Sequence, residues 1–168
     1  MPVSLDGGTR AQLYQLAHPN GPGSGCAKQN IDEEIPRHTL CDMRRSARVL
    51  VVDDAPGVRQ IYARFLHASG MEVLTAENGI LALDTARRAV PDIIVTDVEM
   101  PVMDGLALCR HLRADAATRG VAVVVVTGDA SEQSQAALDA GCDAVLEKPC
   151  SQTMLLATIR RLLDRRRP

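Results

Sequence analysis

Aromatic residues are nearly missing from this chain: one Phe, two Tyr and no Trp in 168 residues. A core packed around rings is thereby excluded, and the 46% apolar content must pack as aliphatic side chains. Cysteine is sparse and badly spaced for structure. Five residues, an odd number with no CxxC pair, support neither a disulfide framework nor a common zinc pattern. Reduced thiols, and with them a cytoplasmic setting, are the expectation. No apolar stretch approaches the roughly 20 residues of a membrane span, and no basic-then-apolar leader opens the chain. Charge of one sign is also lacking. The formal net charge of −2 gives no general pull toward nucleic acid or an anionic membrane.

What is present divides in two. Residues 1–46 read as a disordered N-terminal extension. The run Pro19-Asn20-Gly21-Pro22-Gly23-Ser24-Gly25 breaks both helix and strand, and the charges around it balance. A short helix over 9–17 is the one element expected there. Residues 47–168 read as a single folded domain. Val49–Val52 is a β-branched strand running into Asp53-Asp54. Val58, Ile61, Tyr62, Phe65 and Leu66 then mark the apolar face of a helix, with Gly70 beyond its end. Glu72–Ala76 is a second strand, and Asn78 caps a helix through Val90. Ile93–Asp97 is the third strand, followed by a helix over Gly105–Ala114. Val121–Thr127 is the most plainly buried strand. A helix of small residues, Ser131–Ala140, carries Leu138 as its one large apolar side chain. Ala144–Glu147 is the fifth strand and Gln152–Arg165 the last helix. Five β-α units predict a parallel sheet with helices on both faces, because such crossovers are right-handed.

Polar residues end these strands: Asp53 and Asp54 on the first, Asp97 on the third, Thr127 on the fourth and Lys148 on the fifth. In a parallel sheet all five point into one crevice, where open α/β sheets hold their ligands. Three carboxylates cannot share a site near neutral pH without raised pKa values or a cation. Oxygen-only ligands partly open to water suit Mg2+. An ion plus the Lys148 ammonium would receive a phosphoryl group, and a carboxylate can serve as its nucleophile. Asp97 is best placed to accept it. Asp53 and Asp54 would hold the metal, Lys148 would pair with the carboxylate and then the phosphoryl oxygens, and Thr127 would donate to a phosphoryl oxygen.

The same residues carry a resemblance. Val51-Val52-Asp53-Asp54, Asp97-Val98-Glu99-Met100-Pro101-Val102-Met103-Asp104-Gly105, Val126-Thr127-Gly128 and Glu147-Lys148-Pro149 together make residues 48–165 similar to the receiver domain of two-component response regulators. The resemblance implies a flavodoxin-like (βα)5 doubly wound fold with strand order 2-1-3-4-5. It implies a sensor histidine kinase or histidine phosphotransfer protein as donor to Asp97, and an output protein as partner. It implies Mg2+ held by Asp54, Asp97 and the Glu99 backbone carbonyl, with Asp53 acting through water. It also implies a cis peptide before Pro149. Cis bonds are only about 5–6% of X-Pro bonds, so that expectation rests on the resemblance alone.

One departure stands out. Val145 occupies the position, three before the lysine, where the family usually has an aromatic whose rotamer follows phosphorylation. Glu99 and Asp129 add two acids near the mouth and are expected to tune loss of the phosphoryl group. Asp104-Gly105 reads as turn chemistry, Cys109 and Cys142 as packing residues, and Arg160, Arg161, Arg165, Arg166 and Arg167 as a solvated face complementing the helix dipole. Because one helix uses the chain after the fifth strand, the expectation is a stand-alone receiver. It would catalyse only its own phosphorylation and dephosphorylation and switch binding to a partner. Alternatives are a phosphorelay shuttle or phosphate sink and, behind them, a metal-dependent phosphatase with Glu99 as proton donor.

Overall fold

A computed structural model describes residues 46–166. The extension expected over 1–46, including its helix, lies outside them apart from Ser46. Five strands alternate with five helices: β1 (Arg48–Val52), α1 (Pro56–Ala68), β2 (Glu72–Ala76), α2 (Gly79–Ala89), β3 (Ile93–Asp97), α3 (Gly105–Ala114), β4 (Ala122–Thr127), α4 (Ala130–Asp139), β5 (Ala144–Glu147) and α5 (Gln152–Arg165). The sheet is wholly parallel in the order β2-β1-β3-β4-β5, as expected. The chain therefore reverses direction of travel across the sheet between β1 and β3. Their carboxyl ends frame the crevice where a ligand would sit.

The aliphatic runs explain the layers. β3 and β4 are buried at every position, as a strand covered on both faces must be. Alternation then divides their side chains. Val123 and Val125 of β4 join Leu50, Ile94, Leu108 and Leu112 under α2 and α3. Val124 and Val126 face the other way, with Tyr62 and Leu66 of α1 and Leu155, Ile159 and Leu162 of α5. Both cores are almost ring-free, as the composition requires.

Local signals fix the helix starts. The Asn78 side chain accepts from the Leu81 amide (3.0 Å) and the Ser151 hydroxyl from the Met154 amide (3.2 Å). Asp104, read as turn chemistry, is the cap of α3, accepting from the Ala107 amide (2.6 Å). Each satisfies an amide that the first helical turn would leave without a partner. One expectation about a helix face fails. Ile61 is 55% exposed, at the margin of the α1 stripe rather than within it. In α4 the large Leu138 is 51% exposed, and Ala137 packs inward in its place.

The sheet end opposite the crevice is held by arginines. Arg48 donates to Glu72 (2.9 Å) and the Ala89 carbonyl (2.7 Å). Arg113, on the last turn of α3, donates to the carbonyls of Gly141 (2.8 Å), Val121 (2.8 Å) and Arg119 (3.2 Å) and pairs with Asp143 (2.9 Å). Arg166, exposed as expected, also donates to the Gly120 carbonyl and to Asp143 (3.0 Å). Arg113 thus satisfies carbonyls from two separate loops, and charge-assisted bonds to backbone are among the stronger ones. Arg113→Met, which keeps the aliphatic stem, is expected to lower stability by about 2–3 kcal/mol in urea unfolding without changing the slope of the transition.

Candidate functional site

Strand polarity and burial bring the strand-ending residues together. Asp97 closes β3 and is 8% exposed; Asp53 follows β1 and is 3% exposed; Asp54, one residue on, is exposed. Carboxylate oxygens of all three lie within 4.8 Å of one another. Lys148, just past β5, reaches across β4's end to donate from Nζ to Asp97 Oδ2 (2.7 Å), with Asp53 Oδ2 at 3.9 Å. The other Asp97 oxygen accepts the Val98 amide (2.7 Å), and Asp53 Oδ1 accepts the Ala55 amide (2.9 Å). Both buried carboxylates are therefore fixed by their own backbone. The Lys148-Pro149 peptide is cis, as the resemblance implied.

Electrostatics follow from this crowding. Burial pushes the Asp53 carboxyl above its ordinary pKa; the Ala55 amide and Lys148 pull the other way, and Asp97 and Asp54 add to the rise. Burial opposes the charge on Lys148, but the hydrogen bond and attraction of Asp97, with Asp53 beside it, outweigh that and raise its pKa. Three carboxylates against one ammonium leave net negative charge in an oxygen-lined hollow. Such a donor set fits a hard divalent cation that keeps part of its water, and Mg2+ is the ion of that description.

Thr127 closes β4 and is 1% exposed. Its hydroxyl donates to Gln133 Oε1 and accepts the Asp129 amide (3.1 Å). Glu99 is exposed two residues beyond Asp97, and Gln133 Nε2 donates to its Oε1 (3.4 Å). The structure therefore unites Asp53, Asp54, Asp97 and Lys148 directly, and ties Thr127 to Glu99 through a residue that sequence reading did not single out. Nothing marks Gln133 in the sequence: it is one polar residue on the first turns of a polar helix. Gly105 does more than make a turn. A Cβ there would stand 2.0 Å from the Asp97 carbonyl oxygen, closer than any side-chain atom can approach. Its amide donates to the Val98 carbonyl (2.9 Å), so α3 begins directly against the backbone of Asp97. Val145 is half-buried against the core, and Cys109 and Cys142 are buried thiols raised in pKa chiefly by burial, Cys109 to about 12.

Two predictions test this geometry. Asp53 has a folded pKa above its unfolded value, so ionising it costs folding free energy as pH rises through that window, and the cost is complete above the folded pKa. Asp53→Asn is therefore expected to raise the thermal midpoint of the Mg2+-free protein at pH 7, and to raise it less near pH 4, as thermal unfolding at the two pH values measures. Gly105→Ala should lower stability by about 3 kcal/mol or more, since backbone rather than a flexible side chain must give way; chemical denaturation measures it.

Comparison with known proteins agrees with the geometry. The sequence pattern of the response regulator receiver domain matches residues 49–160. The chain is 42% identical over 123 residues to the response regulator MprA of Mycobacterium bovis, covering 73% of this chain and 53% of that protein. It is 42% identical over 121 residues to MprA of Mycobacterium leprae, covering 72% and 53%. It thus spans about half the length of these relatives. Among solved structures, the chemotaxis response regulator CheY4 of Vibrio cholerae superposes with a TM-score of 0.67 at 34% identity, over 70% of this chain and 99% of that one. The receiver domain of the sensor histidine kinase PA1611 of Pseudomonas aeruginosa, with a magnesium ion coordinated in its active site cleft, gives a TM-score of 0.67 at 28% identity, over 71% and 99%. With its sheet order and matching sequence pattern, the chain belongs to the response regulator receiver domain family of two-component signalling.

Proposed function

We propose that Asp97 accepts a phosphoryl group from a phosphohistidine of a sensor histidine kinase or histidine phosphotransfer protein, and that the phosphorylated chain switches its binding to an output protein. The observation that carries this reading is the Lys148 ammonium 2.7 Å from Asp97, with Asp53 and Asp54 beside it. An oxygen of the Asp97 carboxylate forms the new bond to phosphorus as the P–N bond breaks, and the bonding pair leaves on the histidine nitrogen. Phosphoryl transfer asks mainly for positioning and charge neutralisation. Val98 and Lys148 position the carboxylate, and Lys148 passes from carboxylate to phosphoryl oxygens as charge develops there. Asp53, Asp54, Asp97 and the Glu99 carbonyl would hold Mg2+, which when bound supplies further positive charge against the phosphoryl oxygens. The ion bound by the PA1611 receiver domain supports that assignment. Thr127 donates to a phosphoryl oxygen once transfer is complete.

The output is proposed to lie on the face formed by α4, β5 and α5, with the chain acting as a stand-alone, cytoplasmic receiver rather than as an enzyme on other substrates. Among the described residues no helix is long and apolar enough to cross a membrane. The coverage of 99% of CheY4 supports a complete receiver unit.

Intact mass after incubation with acetyl phosphate tests the chemistry. A gain of one phosphoryl group is expected with Mg2+, none without it, and none for Asp97→Ala. Equal labelling of Asp97→Ala would overturn the assignment of the acceptor. Steady turnover of a phosphomonoester would favour a phosphatase, and return of the label to a histidine would favour a relay shuttle.

A further inference from the structure

We propose that Gln133 is a positioning residue that holds Thr127 in the unphosphorylated arrangement and carries its movement into α4. The inference rests on the reading of Thr127 as donor to the phosphoryl group. A hydroxyl has one hydrogen to donate. Here that hydrogen is committed to Gln133 Oε1, while the Asp129 amide occupies the oxygen. Thr127 is nearly inaccessible to water, so its hydroxyl cannot exchange partners with solvent at no cost. It reaches a phosphoryl oxygen on Asp97 only by leaving Gln133.

The orientation of the Gln133 amide is set from its other end. Glu99 Oε1 is a carboxylate oxygen and accepts from Gln133 Nε2 (3.4 Å), which turns Oε1 toward Thr127. One side chain therefore spans two points that phosphorylation would disturb: the hydroxyl at the end of β4 and the acid two residues beyond Asp97. Its own backbone continues α4, with the Gln133 amide donating to the Asp129 carbonyl (3.0 Å). When Thr127 leaves, Gln133 loses one partner and the first turn of α4 loses its tie to the sheet. Among the described side chains of α4 the fully buried one is the small Ala137, and the large Leu138 is exposed. Val145, lacking a ring, offers no rotamer switch in this region. The signal from Thr127 passes instead through the amide of Gln133.

Beryllofluoride with Mg2+ serves as the probe, in full-length protein, with affinity read from backbone chemical shifts. Gln133→Met preserves length and helix propensity but replaces the amide oxygen with a thioether that accepts only weakly and cannot donate. Releasing one hydrogen bond of the probe-free state is expected to tighten beryllofluoride about fivefold, equivalent to about 1 kcal/mol. In a Thr127→Ala background there is no hydroxyl to hold, and Gln133→Met should leave the affinity unchanged within about twofold, the ordinary limit of additivity. Hydrogen exchange at the Asp129 and Gln133 amides should quicken in probe-free Gln133→Met. A change of the same size in both backgrounds, or none in either, would overturn the positioning role. Should the unaltered protein bind no beryllofluoride and take up no phosphoryl group, the receiver chemistry itself fails, a result distinct from a failed cycle.

Discussion

The contact between Lys148 and Asp97 organises the upper half of this molecule. It joins two strand ends separated by β4, and it exists because three carboxylates have been brought within 4.8 Å of one another. Negative charge in a buried hollow is costly unless matched. The single ammonium matches one carboxylate, and burial lifts Asp53 in pKa as the remaining imbalance predicts. The site is thus prepared for positive charge and for whatever anion such charge attracts. The fold supplies it by placing every strand's carboxyl end on the same side.

The surrounding backbone serves the same purpose. Gly105 allows α3 to begin against the Asp97 carbonyl. Asp104 caps that helix, and the Val98 and Ala55 amides fix the two buried carboxylates. None of these contacts reacts. Together they hold the acids in one geometry, the condition that the proposed phosphoryl transfer would ask of the site.

Much of this could be read from the chain. The strands announce themselves because Val49–Val52, Ile93–Val95 and Val123–Val126 are short β-branched runs, and the site announces itself because each run stops on a reactive side chain. Both signals are local. What escaped reading was tertiary. Ile61 shares the spacing of Tyr62 and Phe65 yet lies at the edge of the stripe, since periodicity gives a direction but not the width of the surface that receives it. Arg113 and Arg166 look like ordinary charges at helix ends until the fold brings the carbonyls of Gly120, Val121 and Gly141 within reach. Gln133 is invisible for the same reason: its two partners sit 6 and 34 residues away along the chain.

The arginines at the base have a consequence for how the domain deforms. Arg48, Arg113 and Arg166 lock one end of the sheet to its loops, while among the described side chains of α4, the helix after Thr127, the fully buried one is Ala137. The base is thus tied through side chains to the backbone carbonyls of Ala89, Gly120, Val121 and Gly141. If Thr127 moves as proposed, the displacement starts at the end of the sheet remote from these ties, next to α4, and the surface of α4 is where it would be read.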